Sequence, residues 1–169
     1  MKKLILICGA NGVGKSTVSR ALLEAVERSA CIDSEYCCAI HPFELTADTI
    51  QLFRANITAL MINCFCSATI QTVIFPYGFH GPRREIYQGV LDELREQGIR
   101  YEFCPVILEC EYNENVDRMR KDKRTEDRIQ RALKQTRHIY DHYDYPRIDT
   151  THLSVSETVE EIIRMHIVV

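Results

Sequence analysis

The sequence predicts a three-layer α/β fold, a five-stranded parallel sheet with helices on both faces. Two observations carry this expectation. Short apolar runs alternate with longer segments whose apolar residues recur at helical spacing, the pattern of a parallel sheet wrapped by crossover helices. Between the first run and the first helical segment lies Gly9-Ala10-Asn11-Gly12-Val13-Gly14-Lys15-Ser16-Thr17, in which Gly9, Gly14, Lys15 and Ser16 meet the spacing G-x-x-x-x-G-K-[ST] of a phosphate-binding loop.

Taken in order, the first strand is expected from Lys3 to Cys8, because Leu4-Ile5-Leu6-Ile7-Cys8 is short and continuously apolar. Val18, Ala21, Leu22, Ala25 and Val26 then mark the first helix. A second strand is expected from Ser29 to Ile32, and a second helix follows, with Thr46 as its N-cap and Ile50, Phe53, Ile57, Leu60, Met61 and Cys64 as its apolar stripe. The third strand, Thr72 to Phe75, leads to a helix that begins near Pro82, turns Ile86, Val90, Leu91 and Leu94 inward and stops at Gly98. After a fourth strand, Phe103 to Leu108, Val116 and Met119 mark a short helix, and Ile129, Leu133, Thr136, Ile139, Tyr140 and Tyr143 a fifth. The last strand is Arg147 to Asp149, and Ser154-Val155-Ser156-Glu157 is a capping-box pattern opening the final helix.

At 169 residues, with 46% hydrophobic and 27% charged side chains, the chain is expected to form a single domain spanning 1–169, with no internal repeat or linker. The apolar stretch behind Met1-Lys2-Lys3 is too short for a signal core or a membrane span, so a cytoplasmic protein without membrane association is expected. The eight cysteines read as small packing hydrophobes. Cys37, Cys38, His41, Cys64 and Cys66 lack a C-x-x-C pair and the spacing of zinc ligands.

A net charge of −3 gives no general affinity for nucleic acid, and none is expected as a partner. The distribution is more telling: residues 118–131 hold seven bases against three acids, so this run is at +4 while the rest of the chain is at −7.

The phosphate loop assigns Gly9, Asn11, Gly12, Val13, Gly14, Lys15, Ser16 and Thr17 to nucleotide binding. Its glycines let backbone N–H groups curl around phosphates at a helix N-terminus, Lys15 reaches the β/γ-phosphates, and the Ser16 hydroxyl ligates Mg²⁺. Ligands of such sheets bind beyond the carboxyl ends of the strands, so further site residues are sought there. Asp33 and Glu35 follow the second strand. Asp33 can hold Mg²⁺ or accept the proton of an acceptor hydroxyl, and Glu35 can grip an acceptor hydroxyl. Arg118, Arg120, Arg124 and Arg128 are candidates for a lid, at about 118–128, that closes on the phosphates and excludes water. Arg124 and Arg128 join Lys15 and Asp33 as the catalytic candidates.

Arg54, in an otherwise apolar stretch, is a candidate ligand for an anionic acceptor, and the loop Pro76-Tyr77-Gly78-Phe79-His80-Gly81 offers glycines for close backbone approach and two aromatics for stacking. The third strand ends without the aspartate that many phosphate-loop ATPases place there, and neither an Asn-Lys-x-Asp guanine signature, a D-x-x-G switch nor an L-S-G-G-Q run is present. GTPase and transporter-ATPase readings are thereby disfavoured.

Gly9 to Thr17, Ile32-Asp33-Ser34-Glu35, the segment Glu109 to Arg118 with the basic run behind it, and Arg147 to Val155 together resemble the small P-loop kinases related to adenylate, shikimate and gluconate kinases and chloramphenicol phosphotransferase. The resemblance implies a P-loop NTPase fold with strand order 2-3-1-4-5, a short lid, and an acceptor site beside the second and third helices. It implies that Asp33 is the Mg²⁺-associated or base aspartate, Glu35 a substrate-binding carboxylate, and Phe53-Arg54 an acceptor-binding pair, although Ile57 stands where a glutamate would follow. It further implies Arg118 beside adenine, Arg124 as the lid arginine, and the Asp149 to Ser154 segment, with Thr150, lining the adenine pocket. The expected function is transfer of the γ-phosphoryl of Mg²⁺·ATP to a small-molecule, nucleoside or nucleotide acceptor. The alternative is an ATP-binding regulatory module with negligible turnover. The pocket segments 36–66 and 76–84 carry no motif that specifies the acceptor, and no signal in the chain sets an oligomeric state.

Overall fold

A computed structural model describes residues 1–167. Five strands form one all-parallel sheet: β1 (Lys3–Gly9), β2 (Ser29–Cys31), β3 (Thr72–Pro76), β4 (Glu102–Glu109) and β5 (Arg147–Asp149), in the order β2-β3-β1-β4-β5. The order and the parallel pairing are those that the resemblance implies. β1 is central, with Ile7 opposite Pro76 on one side and Val106 on the other. Its continuous apolar run follows from that position, since both faces are covered.

Among the described residues seven helices surround the sheet: α1 (Lys15–Ala25), α2 (Ser34–Cys37), α3 (Ala47–Cys66), α4 (Arg83–Glu96), α5 (Tyr112–Lys121), α6 (Glu126–Thr136) and α7 (Val155–His166). On one face Leu4, Leu6 and Cys8 pack with Phe53, Ile57, Met61 and Phe65 of α3 and Ile86, Val90 and Leu94 of α4. On the other, Ile5 and Ile7 meet Val18 and Leu22 of α1 and Val159 and Ile162 of α7. A third cluster, Val116, Met119, Ile129 and Leu133, joins α5 to α6. Thr46 and Ser154 cap α3 and α7 through reciprocal capping boxes. No helix among the described residues is long and apolar enough to cross a membrane.

Three features refine the sequence reading. The four-residue α2, capped by Asp33, precedes the helix opened by Thr46. The expected fifth helix divides after Thr136, where a 3₁₀ segment, Arg137–His142, takes over. The basic run, expected as a lid, is shared between the last turn of α5, a connection at 122–125 and the first turn of α6, so most of it is regular helix.

Candidate active site

β1 leaves the sheet at Gly9, whose φ is +144°, and a Cβ there would run into the Leu108 carbonyl oxygen of β4. The chain then curls through Gly12, at φ +82°, where a Cβ would lie 2.5 Å from Met119 Cγ and 2.9 Å from Asn115 Nδ2. Only glycine satisfies both the left-handed backbone and this close approach of α5. The fully buried Asn115 donates from Nδ2 to the Asn11 carbonyl at 2.9 Å, and the Asn11 amide donates to Thr136 Oγ1 at 3.0 Å. Arg137 steadies this clamp, donating to Asn115 Oδ1 at 3.2 Å and to the Cys110 carbonyl at 3.1 Å.

Lys15 is half-buried, and its Nζ donates to the carbonyls of Gly9 and Ala10, at 2.9 Å each. Burial lowers its pKa to about 8, and the nearby Arg124 and Arg83 add to the effect. The same loop borders a cleft of about 340 Å³ at the carboxyl ends of the strands. Asn11, Gly12, Gly14, Lys15, Ser16 and Thr17 line one wall; Asp33, Ser34 and Glu35 after β2, and Pro76, Tyr77, Gly78, His80 and Arg83 after β3, line another; Arg118, Lys121, Asp122 and Arg124 close the third.

A second, more apolar cavity of about 280 Å³ opens on the β5 side, lined by Val13, Gly14, Thr17, Val18, Arg118, Thr150, Leu153, Ser154, Val155 and Thr158. Arg118 borders both spaces. It donates to Thr150 Oγ1 at 2.8 Å, the Thr150 carbonyl at 2.7 Å and the Val13 carbonyl at 3.1 Å, and pairs with Glu114 at 2.7 Å.

Among the sequence-derived candidates, Lys15, Ser16, Asp33, Glu35, Tyr77, Gly78, Arg118 and Arg124 thus share one cleft. Asp33 Oδ1 also accepts from the Glu35 amide at 3.0 Å, so the cap of α2 fixes the Asp33 carboxylate and the main chain of Glu35. Tyr77 is 2% exposed and stacks on Phe75 at 4.9 Å, so it is a core side chain whose edge reaches the cleft. Phe79 is buried among Tyr87, Tyr140 and Tyr143 and offers no free stacking face.

Three candidates lie elsewhere: Arg120, which pairs with Glu126 at 2.7 Å on the exposed side of α5, and Arg54 and Arg128. Arg54 projects away from the buried stripe of α3, lies against Gly89 of α4 and pairs with Glu93 at 2.7 Å, outside the cleft. Arg128 is exposed on α6, beside the inward Ile129, and does not line the cleft. The residues that sequence reasoning left unassigned are Ser34, His80, Arg83, Lys121 and Asp122. Arg83 carried a usable signal, since Pro82-Arg83 opens the helix directly after the β3 loop. His80 is pushed down to about 4, first by burial and then by Arg83 and Lys15, so its imidazole is neutral at physiological pH.

The donor set suits Mg²⁺, which keeps to oxygen ligands and completes an octahedron with phosphates and water around one or two protein groups. Ser16 and Asp33 supply a hydroxyl and a carboxylate to the same cleft, and among the described residues no three His, Cys, Asp or Glu side chains converge on a point.

A sequence model described as an AAA domain matches residues 5–140. No curated protein matches the chain. The structure is similar to a gluconokinase from Sinorhizobium meliloti (TM-score 0.66, 17% identity, 96% of this chain and 90% of that one) and to a tunicamycin resistance protein from Deinococcus radiodurans (0.66, 20%, 100% and 98%). It is also similar to a shikimate kinase from Acinetobacter baumannii solved with shikimate (0.61, 21%, 97% and 92%). With the phosphate loop and the whole of α1 inside the matched span, the chain belongs to the AAA-domain family, and its fold is that of the small P-loop kinases.

Proposed function

We propose that the protein transfers the γ-phosphoryl group of ATP to a hydroxyl of a small-molecule, nucleoside or nucleotide acceptor, with Mg²⁺ as cofactor. One observation carries the reading: a single cleft joins the phosphate loop to the half-buried Asp33 and the exposed Glu35 on one side and to Arg124 on the other. That is the equipment of phosphoryl transfer, which asks for positioning and charge neutralisation more than for covalent chemistry.

In this reading the adenine occupies the apolar cavity beside Arg118 and Thr150, and the triphosphate runs along the loop amides toward Lys15. Ser16 and Asp33 would hold Mg²⁺, which would supply charge neutralisation at the phosphates. Glu35 holds the acceptor while Asp33 orients or deprotonates its hydroxyl. The acceptor oxygen bonds to the γ-phosphorus as the bridging P–O bond to the β-phosphate breaks, and ADP leaves with that electron pair. Lys15 and Arg124 stabilise the charge that spreads over the transferring group.

The absence of a carboxylate at Pro76, where β3 ends in the cleft, favours a second reading, an ATP-binding regulatory module without turnover. ADP release measured across nucleosides, nucleotides, sugars, sugar acids and aminocyclitols separates the two. Release that depends on one acceptor class supports the enzyme, and ATP binding without acceptor-dependent release supports the module.

A further inference from the structure

The acceptor side of the cleft holds an arginine that the transfer step does not use. Arg83 opens α4 and is half-buried, and among the described residues no carboxylate lies within ion-pair distance of it. Its guanidinium has the Ser34 hydroxyl as side-chain partner, at a long 3.5 Å. The other cleft arginines are compensated, Arg118 by Glu114 at 2.7 Å and Arg124 by Asp122 at 3.4 Å. Arg54, which the sequence suggests for an anionic acceptor, is consumed by Glu93 at 2.7 Å.

Arg83 is nonetheless held firmly. The buried Tyr77 donates its hydroxyl to the Arg83 carbonyl at 3.0 Å, and the Arg83 amide donates to the His80 carbonyl at 3.3 Å. These are main-chain bonds, so the side chain is left available while its root is fixed. Beside it stand a hydroxyl and a neutral imidazole; Asp33 and Glu35, which flank Ser34 in the chain, share the cleft but lie beyond ion-pair distance, and Lys15 is a second cation there. A half-buried guanidinium that lines a cleft and pairs with no carboxylate is free to take an anion. The planar fork suits the paired oxygens of a carboxylate or phosphate.

The place also matters. Arg83 follows β3, next to β2 in the sheet, whereas the cavity beside Arg118 and Thr150 lies toward β5, on the far side of β1. Resting on the phosphotransferase reading of this cleft, we propose that Arg83 anchors an anionic group of the acceptor, so that the substrate is a hydroxylated small anion, a carboxylate or a phosphate ester, with its hydroxyl end toward Asp33. Specificity for charge then resides at the start of α4 and not on α3.

The test is made on protein saturated with Mg²⁺ and a non-hydrolysable ATP analogue, which fills the nucleotide phosphate positions. Inorganic phosphate, glycerate and, as the uncharged control, glycerol are titrated by calorimetry and by NMR of the His80 ring. Binding of at least one anion but not glycerol is expected, with an upward shift of the His80 pKa, because an anion at Arg83 favours the imidazolium. Binding of phosphate alone identifies a phosphate-ester site, and of glycerate alone a carboxylate site. Arg83→Gln should weaken the anion tenfold or more and abolish the His80 shift, with Arg83→Lys retaining part of both. The proposal is overturned if neither anion binds the loaded wild-type protein, or if Arg83→Gln binds as well as wild type. Arg83-dependent anion binding without ADP release from any hydroxylated anion would leave the site standing and refute the phosphotransferase reading. Phosphorylation of an uncharged acceptor, undiminished in Arg83→Gln, would do the reverse.

Discussion

The main-chain amide of Asn11, at the apex of the phosphate loop, donates to the hydroxyl of Thr136 at the end of α6 over 3.0 Å. Its carbonyl accepts from Asn115 on α5. One loop residue is therefore held by both helices that flank the basic connection at 122–125. If the basic segment closes on nucleotide, its freedom lies in that connection, where Lys123 sits at φ +59°.

Amide exchange should show this. On binding Mg²⁺ and a non-hydrolysable ATP analogue, amides at 122–125 should gain protection, while those of α5 that are packed on the loop should change little. Arg124→Ala should lower kcat by about 10²-fold or more, as expected for a group acting on transition-state charge. Arg128→Ala should leave turnover near wild type. Equal losses in both variants would contradict the placement of Arg124 alone in the cleft.

Lys15→Ala removes a charge and leaves the core untouched. It should cost several kcal/mol of transition-state stabilisation, about 10²-fold or more in rate, with an unchanged circular dichroism spectrum. A folded variant with normal ATP affinity and turnover would remove the basis for the phosphate-loop assignment.

Asp33 and Glu35 should separate kinetically. Asn retains the side-chain oxygen that caps α2, so Asp33→Asn should keep the fold and depress kcat. Glu35→Gln should chiefly raise KM for the acceptor. Wild-type kinetics in both would reduce the pair to a polar strand end.

Nucleotide binding should take up a proton in mildly alkaline solution. In the free protein Lys15 is lowered to about 8, burial being the main cause, so above that pH it is largely neutral. Phosphates favour its charged form, so ATP restores the proton, and affinity falls as pH rises through this range, by up to about tenfold per unit. Calorimetry in buffers of differing ionisation enthalpy measures the uptake at pH 8.5–9, and Lys15→Met should abolish it. Proton-neutral binding by the wild type would contradict the shift.

Gly12→Ala should destabilise the protein by about 1–3 kcal/mol through the left-handed backbone alone. The crowding against Met119 and Asn115 adds to this, and a melting temperature lower by at least about 2–4 °C is the expected readout. A melting temperature unchanged from wild type would contradict both the backbone strain and the crowding.

The strands were legible because a buried parallel strand writes itself as a short apolar run, and Leu4 to Cys8 and Val106 to Leu108 are such runs. Thr46 and Ser154 announce helix starts through local chemistry, which sequence retains. The break after Thr136 was hidden, since Ile129, Leu133, Thr136 and Tyr140 keep helical spacing across it; α2 is too short to show a period. At the site, the loop, Asp33 and Glu35 follow from their place after strands. Arg54 did not, because its fate depends on Glu93, thirty-nine positions away, and on the groove at Gly89. Arg83 is notable for the partner it lacks, a property of three dimensions. Tyr77 and Phe79 read equally well as loop aromatics and as core, and packing chose the core.

The Tyr140 hydroxyl accepts from the Phe79 amide at 3.1 Å, joining the loop after β3 to the chain that returns from α6. With β1 in the middle of the sheet, the segments that would face an acceptor on the proposed reading, 33–83, and those that would frame the base, beyond 110, otherwise belong to opposite edges. On the phosphotransferase reading, exchange of 33–83 for the corresponding stretch of a related protein would be a route to a different acceptor with the same fuel. Such a chimera must keep Tyr140 matched to its new residue 79, because that junction is where the two halves would first come out of step.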